Sequence, residues 1–462
     1  MKKKICVLLA AIMVLAYMSA GCGDSSGSGR QDTVITVWTN NYHEKAFMDA
    51  KVKEWNKTVG KEKNIVIDYQ VFGDVEGELE QAFLTGDAPD FFPILSDNLE
   101  RYVTQERVAA IEDMPGGREL VDRFEGFLSI NKHIMNGKTY LLPNSSTTYG
   151  LIYNKEMFKN AGLVDENGEA KPPETLEELR EYARILTRPE RREYGIALPG
   201  AYSDWFSDDV MKPATASTRC YGYDPVTGLY DYSSLAGMME AIIGIKEDGS
   251  CLPGTEKLDN DQARARFGEG GIGMYFSASY DYSVLTNQFP AKIDWGVAPY
   301  PVEDKDSARK QYLAYNRYLA INKESVETKG ADKLMEAYRW FYSEELMIDA
   351  YMKGINLPTE FSLVENLELD EDMAQWREYA ALLEVSAATP MQIPYDTAGQ
   401  RSPEEIWRED IWDQSAGPEA IRAACEEMSE VMNRGAEKYL EEHPEFDGSQ
   451  LVIPEWEELS RR

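Results

Sequence analysis

The stretch TVITVWTNNYHEKAFMDAKVKEWNKTVGKEKNIVIDYQVF, residues 33–72, changes its periodicity twice. Residues 33–38 read as a strand, and TNNYHE as the loop that leaves its carboxyl end. Met48, Val52, Trp55 and Val59 then recur at the spacing of one buried helix face, and Ile65, Ile67, Tyr69 and Val71 alternate as a strand does. EGELEQAFLTG (76–86) predicts a second helix with Leu79 and Phe83 inward and Gly86 ending it, followed by a short strand in DFFPIL (90–95). Strand, helix, strand, helix, strand argues for a parallel sheet with helices on its faces.

A second set begins near Pro143. TTYGLIYN (147–154), YGIALPG (194–200) and GGIGMYFS (270–277) predict strands, with helices in KEMFKNAGL, PPETLEELREYARIL, LAGMMEAIIGIKEDG and DNDQARARFGEGG. Thr175 and Glu178 have the spacing of a capping box behind Pro172 and Pro173. IDWGVAPYP and QYLAYNRYLAIN (311–322) follow as strands able to lead the chain back, and beyond residue 328 the pattern is mostly helical. The fold class is therefore α/β with two lobes, and the place left for a ligand is the cleft between them.

The amino terminus has a different character. Lys2, Lys3 and Lys4 precede an apolar run from Ile5 to Met18, too short to span a bilayer as a relaxed helix, which predicts an export signal. Ser19-Ala20-Gly21-Cys22 resembles the lipobox of bacterial lipoproteins, in which the cysteine is acylated, although Ser19 stands where leucine is usual. GDSSGSGRQ then reads as a flexible tether. Removing residues 1–21 leaves 45 basic against 81 acidic residues, a net charge of −36. A chain with that field is repelled by nucleic acid and by anionic headgroups.

Several motifs fail on context. GEGGIG (268–273) matches a dinucleotide fingerprint but follows a helix and opens a strand, the reverse of the order a phosphate cradle needs. GDSSG (23–27) matches a nucleophile elbow but sits in the tether. His43, His133 and His443 lie far apart, and there is no CxxC spacing, so neither a metal nor a cofactor is expected. Of Cys220, Cys251 and Cys425, one pair such as Cys220 with Cys251 is open to an exported protein, and none is required.

Ten phrases in fixed order, from ITVWTN and AFLTGDAPDFF through MNGKTYLLPNSSTTYGLIYNKEMFKNAGL, PPETLEELREYARILT and EYGIALPG to FGEGGIGMYFSASY, WGVAPYP, YLAINKES, AYRWFYSEE and GINLPT, resemble the extracellular solute-binding proteins, family 1. Those proteins feed carbohydrate importers of the ATP-binding cassette type. The resemblance implies a type II periplasmic-binding-protein fold, hinge closure on a ligand, no catalytic residues, and in Gram-positive members a lipid tether. The division it suggests is signal 1–21, tether 22–31, first lobe 32–143, second lobe 144–312, a return to the first lobe over 313–356, and a helical part 357–462 packed mainly on the second lobe.

A sugar presents apolar CH faces and a rim of hydroxyls, so its site needs aromatic surfaces with amides or carboxylates. The candidates are Trp38, Thr39, Asn40 and Asn41 after the first strand, Asp74 and Asp90 near the next two, and Tyr149 at the first crossover. GAYSDWFSDD offers Tyr202, Asp204 and Trp205. SASYD offers Ser279, Tyr280 and Asp281 where many family members have glycine, serine and tryptophan, and AYNRY offers Tyr315 and Asn316. Trp407 is included because related maltose binders use a late tryptophan. Asp90 either meets ligand or braces its turn. Trp55, Trp295, Trp340 and Trp376 are read as packing. The acidic balance disfavours polyanionic glycans unless Arg219 or Arg317 overrides it locally.

The expected protein is thus a monomeric, lipid-anchored receptor on the outer face of the membrane that hands a small carbohydrate to permease subunits. The alternatives are a surface-anchored carbohydrate-active enzyme, or the same receptor presenting ligand to a sensor.

Overall fold

In the computed structural model, which describes residues 32–462 apart from 96–97, 131, 317–318 and 445, the two groups of strands become two separate sheets. Cys22, the signal, the tether and Arg317 lie outside the described residues.

The first sheet has the order Ile65–Val71, Thr33–Thr39, Phe91–Pro93, Leu319–Asn322, Val108–Ala109. The first three strands are parallel, and Leu319–Asn322 runs antiparallel between its two neighbours. Helix Lys45–Lys57 turns Met48, Val52 and Trp55 onto this sheet. At Thr58 the backbone leaves the helical region (φ −109°, ψ −97°), so Val59 does not extend that stripe; it opens the short helix Val59–Lys63 and is partly exposed. Helix Val75–Thr85 ends at Gly86, whose φ of 79° suits a residue with no Cβ. Its Leu79 is fully buried, whereas Phe83 is only half-buried, against Phe92 and Tyr102. Leu334, Met335, Tyr338 and Phe341 of helix Ala331–Phe341 complete the core of this lobe.

The second sheet is built on Ser145–Asn154, all ten residues of which are buried. Ile272–Ala278 pairs antiparallel with it and parallel with Tyr194–Ala197; Trp295–Ala298 and Gln311–Asn316 pair with its two halves. A strand covered on both faces reads as a continuous apolar or neutral run rather than an alternation. Helix Leu176–Leu186 lies on this sheet. Thr175 accepts from the Glu178 N–H at 3.1 Å, but the Glu178 carboxylate takes the N–H of Glu174 at 2.7 Å, so the capping box is only half made. The long helix Pro418–Glu442 packs Ile421, Met428 and Met432 with Met239 and Ile242 of helix Ala236–Glu247. Trp376 and Tyr379 of helix Ala374–Ala381 cover the other face beside Trp295. Cys220, Cys251 and Cys425 are free thiols, so the Cys220–Cys251 pair is not formed.

The chain passes between the sheets three times. It enters the second through Ser145, returns to the first between Gln311–Asn316 and Leu319–Asn322, and comes back through Leu357–Pro358. The three passages meet. Ser145 and Ser146 pair with Asn316 and Tyr315 and also with Pro358 and Leu357. Backbone pairing thus holds the three connections at one short level.

Candidate functional site

A cavity of about 780 Å³ lies between the lobes, walled by Thr39 to Glu44, Tyr69 and Leu95 from the first and by Tyr149, Tyr202, Asn260, Arg264 and Tyr280 from the second. Asn144, Ser145, Asn316 and Asn356 line it from the crossovers. The parallel strand Thr33–Thr39 delivers its carboxyl-end loop here, as open α/β sheets do.

The first-lobe wall is held by a hydrogen-bonded chain. Glu44 is fully buried; its Oε1 accepts from the Tyr69 hydroxyl at 3.1 Å and its Oε2 from the Asn356 side-chain amide at 2.8 Å. His43 Nε2 lies 3.3 Å from Asn356 Oδ1, and the His43 ring reaches the Tyr280 ring of the opposite lobe at a centroid distance of 5.7 Å. On the second lobe, Arg264 pairs with Asp281 at 2.8 Å and Asp261 at 2.9 Å, and its guanidinium stands 5.7 Å from the Tyr280 ring centre. Burial opposes the Arg264 charge, but Asp281, Tyr275, Tyr280 and Asp261 together outweigh it and raise the guanidinium above its ordinary value. Burial pushes the phenols of Tyr69, Tyr149, Tyr202 and Tyr280 up as well, so all are neutral donors at physiological pH. Behind Tyr149, the Lys212 ammonium sits 4.5 Å from its ring centre and pairs with Asp208.

Of the residues singled out from sequence, Thr39, Asn40, Asn41, Tyr149, Tyr202, Tyr280 and Asn316 line the cavity. The others do not. Trp205 and Trp407 are fully buried, 5.5 Å apart between ring centres, in an aromatic core with Trp412; a late tryptophan at this position is packing, not platform. Trp38 turns onto Phe72 at 4.4 Å, because alternation along its strand places it on the face opposite Val37 and Thr39. Asp74 caps helix Val75–Thr85 through the Gly77 N–H at 3.0 Å. Asp90 is the brace: it accepts from the Thr36 N–H at 2.7 Å and pairs with Lys329 at 2.6 Å. Ser279 is buried, with its N–H donating to Thr148. Tyr315 packs edge-on against Phe127 beside the crossovers, Asp204 is exposed beside the Tyr202 hydroxyl, and Asp281 is the buried partner of Arg264. Arg219 is spent on Asp224 and Glu457.

Tyr42, His43, Glu44, Tyr69, Asn144, Asn260, Arg264 and Asn356 were not anticipated. The first three do carry a signal, since they continue the loop that leaves the first strand, and so does Tyr69, which lies on the second. Asn144 and Asn356 flank crossovers and carry no periodicity.

Two α/β lobes joined by three crossovers around a polar cleft define a bilobal binding protein. The chain matches the family described as bacterial extracellular solute-binding protein over residues 40–347, and it belongs to that family. A *Brucella abortus* protein bearing the provisional name of a binding protein is 27% identical over 281 residues, 57% of this chain and 65% of the relative. The multiple sugar-binding protein of *Streptococcus mutans* is 24% identical over 191 residues, 41% of this chain and 43% of that protein. The chain therefore spans less than two thirds of the length of these relatives. Among solved structures, the GacH receptor of *Streptomyces glaucescens*, described with acarbose, superposes with a TM-score of 0.67 at 17% identity, covering 90% of this chain and all of the other. The maltodextrin-binding domain of *Bdellovibrio bacteriovorus*, bound to maltotriose, gives 0.65 at 15%, covering 88% and all of it. These likenesses fix the two-lobed fold. Among the described residues no helix is long and apolar enough to cross a membrane.

Proposed function

We propose that the protein is a receptor for a small carbohydrate, an oligosaccharide by the size of the cleft, which it encloses by closing the lobes and hands without chemistry to the membrane subunits of an ATP-binding cassette importer. It acts as a monomer held at the outer face of the membrane through a lipid on Cys22. The observation that carries this reading is the lining: six asparagines (40, 41, 144, 260, 316, 356) and five tyrosines (42, 69, 149, 202, 280) around about 780 Å³. Amides donate and accept toward hydroxyls, and neutral phenols add both hydrogen bonds and flat apolar faces. The sugar-bound proteins of the same fold support it.

Among the described residues of the lining, each carboxylate already has a partner or a structural role. Of the lining carboxylates, Glu44 accepts from Tyr69 and Asn356, Asp259 caps the helix Asn260–Gly268, and Asp261 pairs with Arg264. A glycosidase needs two carboxyl groups at a set separation, one of them able to donate.

Thermal unfolding against a panel of mono- and oligosaccharides tests the proposal. A sugar at 100 times its dissociation constant adds about 2.7 kcal/mol, roughly 3 °C for a chain of this size. Reducing ends released from the same sugars on long incubation would instead support the enzyme. A panel that leaves the midpoint unmoved would send the search to other small solutes.

A further inference from the structure

We propose that Glu100 and Tyr439 form a latch between the two lobes, biasing them toward each other before any ligand arrives. The inference rests on the cleft-closing reading above and supplies the element that sets its resting state.

Glu100 belongs to the first lobe. Its helix, Leu99–Thr104, is anchored by Leu99 and Tyr102 in the core beneath Phe92 and Ala320. Tyr439 belongs to the second, near the end of helix Pro418–Glu442, whose Met432 and Ala436 are buried among the residues of that lobe. The Tyr439 hydroxyl donates to Glu100 Oε2 at 3.3 Å, joining residues 339 positions apart that lie on none of the three crossovers. Leu95, four residues before the Glu100 helix begins, lines the cavity, so the first-lobe partner is on the segment that follows the cavity wall.

Tyr439 is held in place for this contact. Its ring stacks on His443 at 4.3 Å and meets Phe446 edge-on at 5.7 Å, which fixes the ring rather than leaving it to sweep solvent. A group already ordered by its own lobe loses little freedom on making a bond to the other. The His43–Tyr280 ring contact, at 5.7 Å, is a second meeting of the lobes inside the cleft. If the lobes hinge at Ser145 and Ser146, opening must break a contact between them that lies off the crossovers, whereas the paired crossovers need only bend.

A hydrogen bond to an exposed carboxylate such as Glu100 changes a two-state ratio by up to about fivefold. That is enough to move a protein whose open and closed forms are close in free energy.

Small-angle X-ray scattering of the ligand-free protein, of Tyr439→Phe, of Glu100→Ala and of the double variant tests the latch. We expect each single change to enlarge the radius of gyration, and the double change to enlarge it no further, since both remove the same contact. Curves that superimpose on the parent, or a double variant that opens further than either single one, would overturn the proposal. Unchanged melting of each variant establishes that the lobes themselves stay folded. Because no sugar enters the experiment, a failed sugar panel leaves its outcome intact, and superimposed scattering curves leave the receptor reading intact.

Discussion

The Asn356 amide, on the third passage between the lobes, donates to the buried Glu44 carboxylate of the first at 2.8 Å. One side chain thereby ties a crossover to the wall of the cavity. A carboxylate removed from water depends on every donor it has, and losing one costs about 1–3 kcal/mol, more for a charged group. Asn356→Leu is expected to lower stability by that amount, and Glu44→Gln in the same background to recover part of it. Equal losses in the single and double variants, measured by denaturant unfolding, would mean that the cost of Asn356→Leu does not come from the Glu44 carboxylate.

The cavity lining predicts a separation of binding from stability. Tyr280→Ala and Asn316→Ala are expected to weaken sugar binding at least about tenfold each with little change in melting. Trp407→Ala should do the opposite, costing about 3–5 kcal/mol of stability by emptying the aromatic core. Calorimetric titration of the three variants checks this; a Trp407 variant that melts normally but binds no sugar would return that residue to the cleft.

Much of this was legible from the chain itself and some was not, for reasons that differ by residue. Ile35, Val37, Ile65 and Ile67 announce a parallel sheet because their alternation is local, and Thr39 to Asn41 follow as its carboxyl-end loop. Trp205 and Trp407 mislead because an aromatic ring looks the same in a site and in a core, and only their mutual contact decides. Asn144 and Asn356 are invisible because crossovers are defined by what lies far away in sequence.

His133 gives a pH dependence with a definite sign. It is fully buried, its Nδ1 accepts the Ser129 N–H at 2.9 Å, and burial, with Lys132 nearby, lowers it to about 3. The unfolded chain takes up a proton near pH 6.5 that the folded one refuses until about 3, so stability present above pH 6.5 is lost as the pH falls through that window. The slope is up to about 1.4 kcal/mol per pH unit. His133→Gln is expected to flatten the melting profile between pH 6 and pH 4. Parallel profiles would count against it.

Asp209 works in the other direction. Burial, then the Asp208 carboxylate beside it, raise it well above the usual range. The folded state holds a proton the unfolded state has released, so its contribution is complete below the unfolded value of about 4 and declines as the pH rises. The advantage of Asp209→Asn over the parent should therefore widen between pH 4 and pH 7 in thermal unfolding. A difference that stays constant would show that the carboxyl is ionised in both states.

The place of Leu319–Asn322 in the first sheet also has a consequence for biogenesis. Ile321 sits between Phe91 and Ala109, yet it is synthesised more than two hundred residues after them, once the central strands of the second sheet have been made. The earlier-made half of the first lobe cannot complete its sheet on the ribosome, and its strands must wait with open edges for a late partner. The order of the chain thus makes assembly of the first lobe a late event, dependent on a strand that arrives only after much of the second sheet.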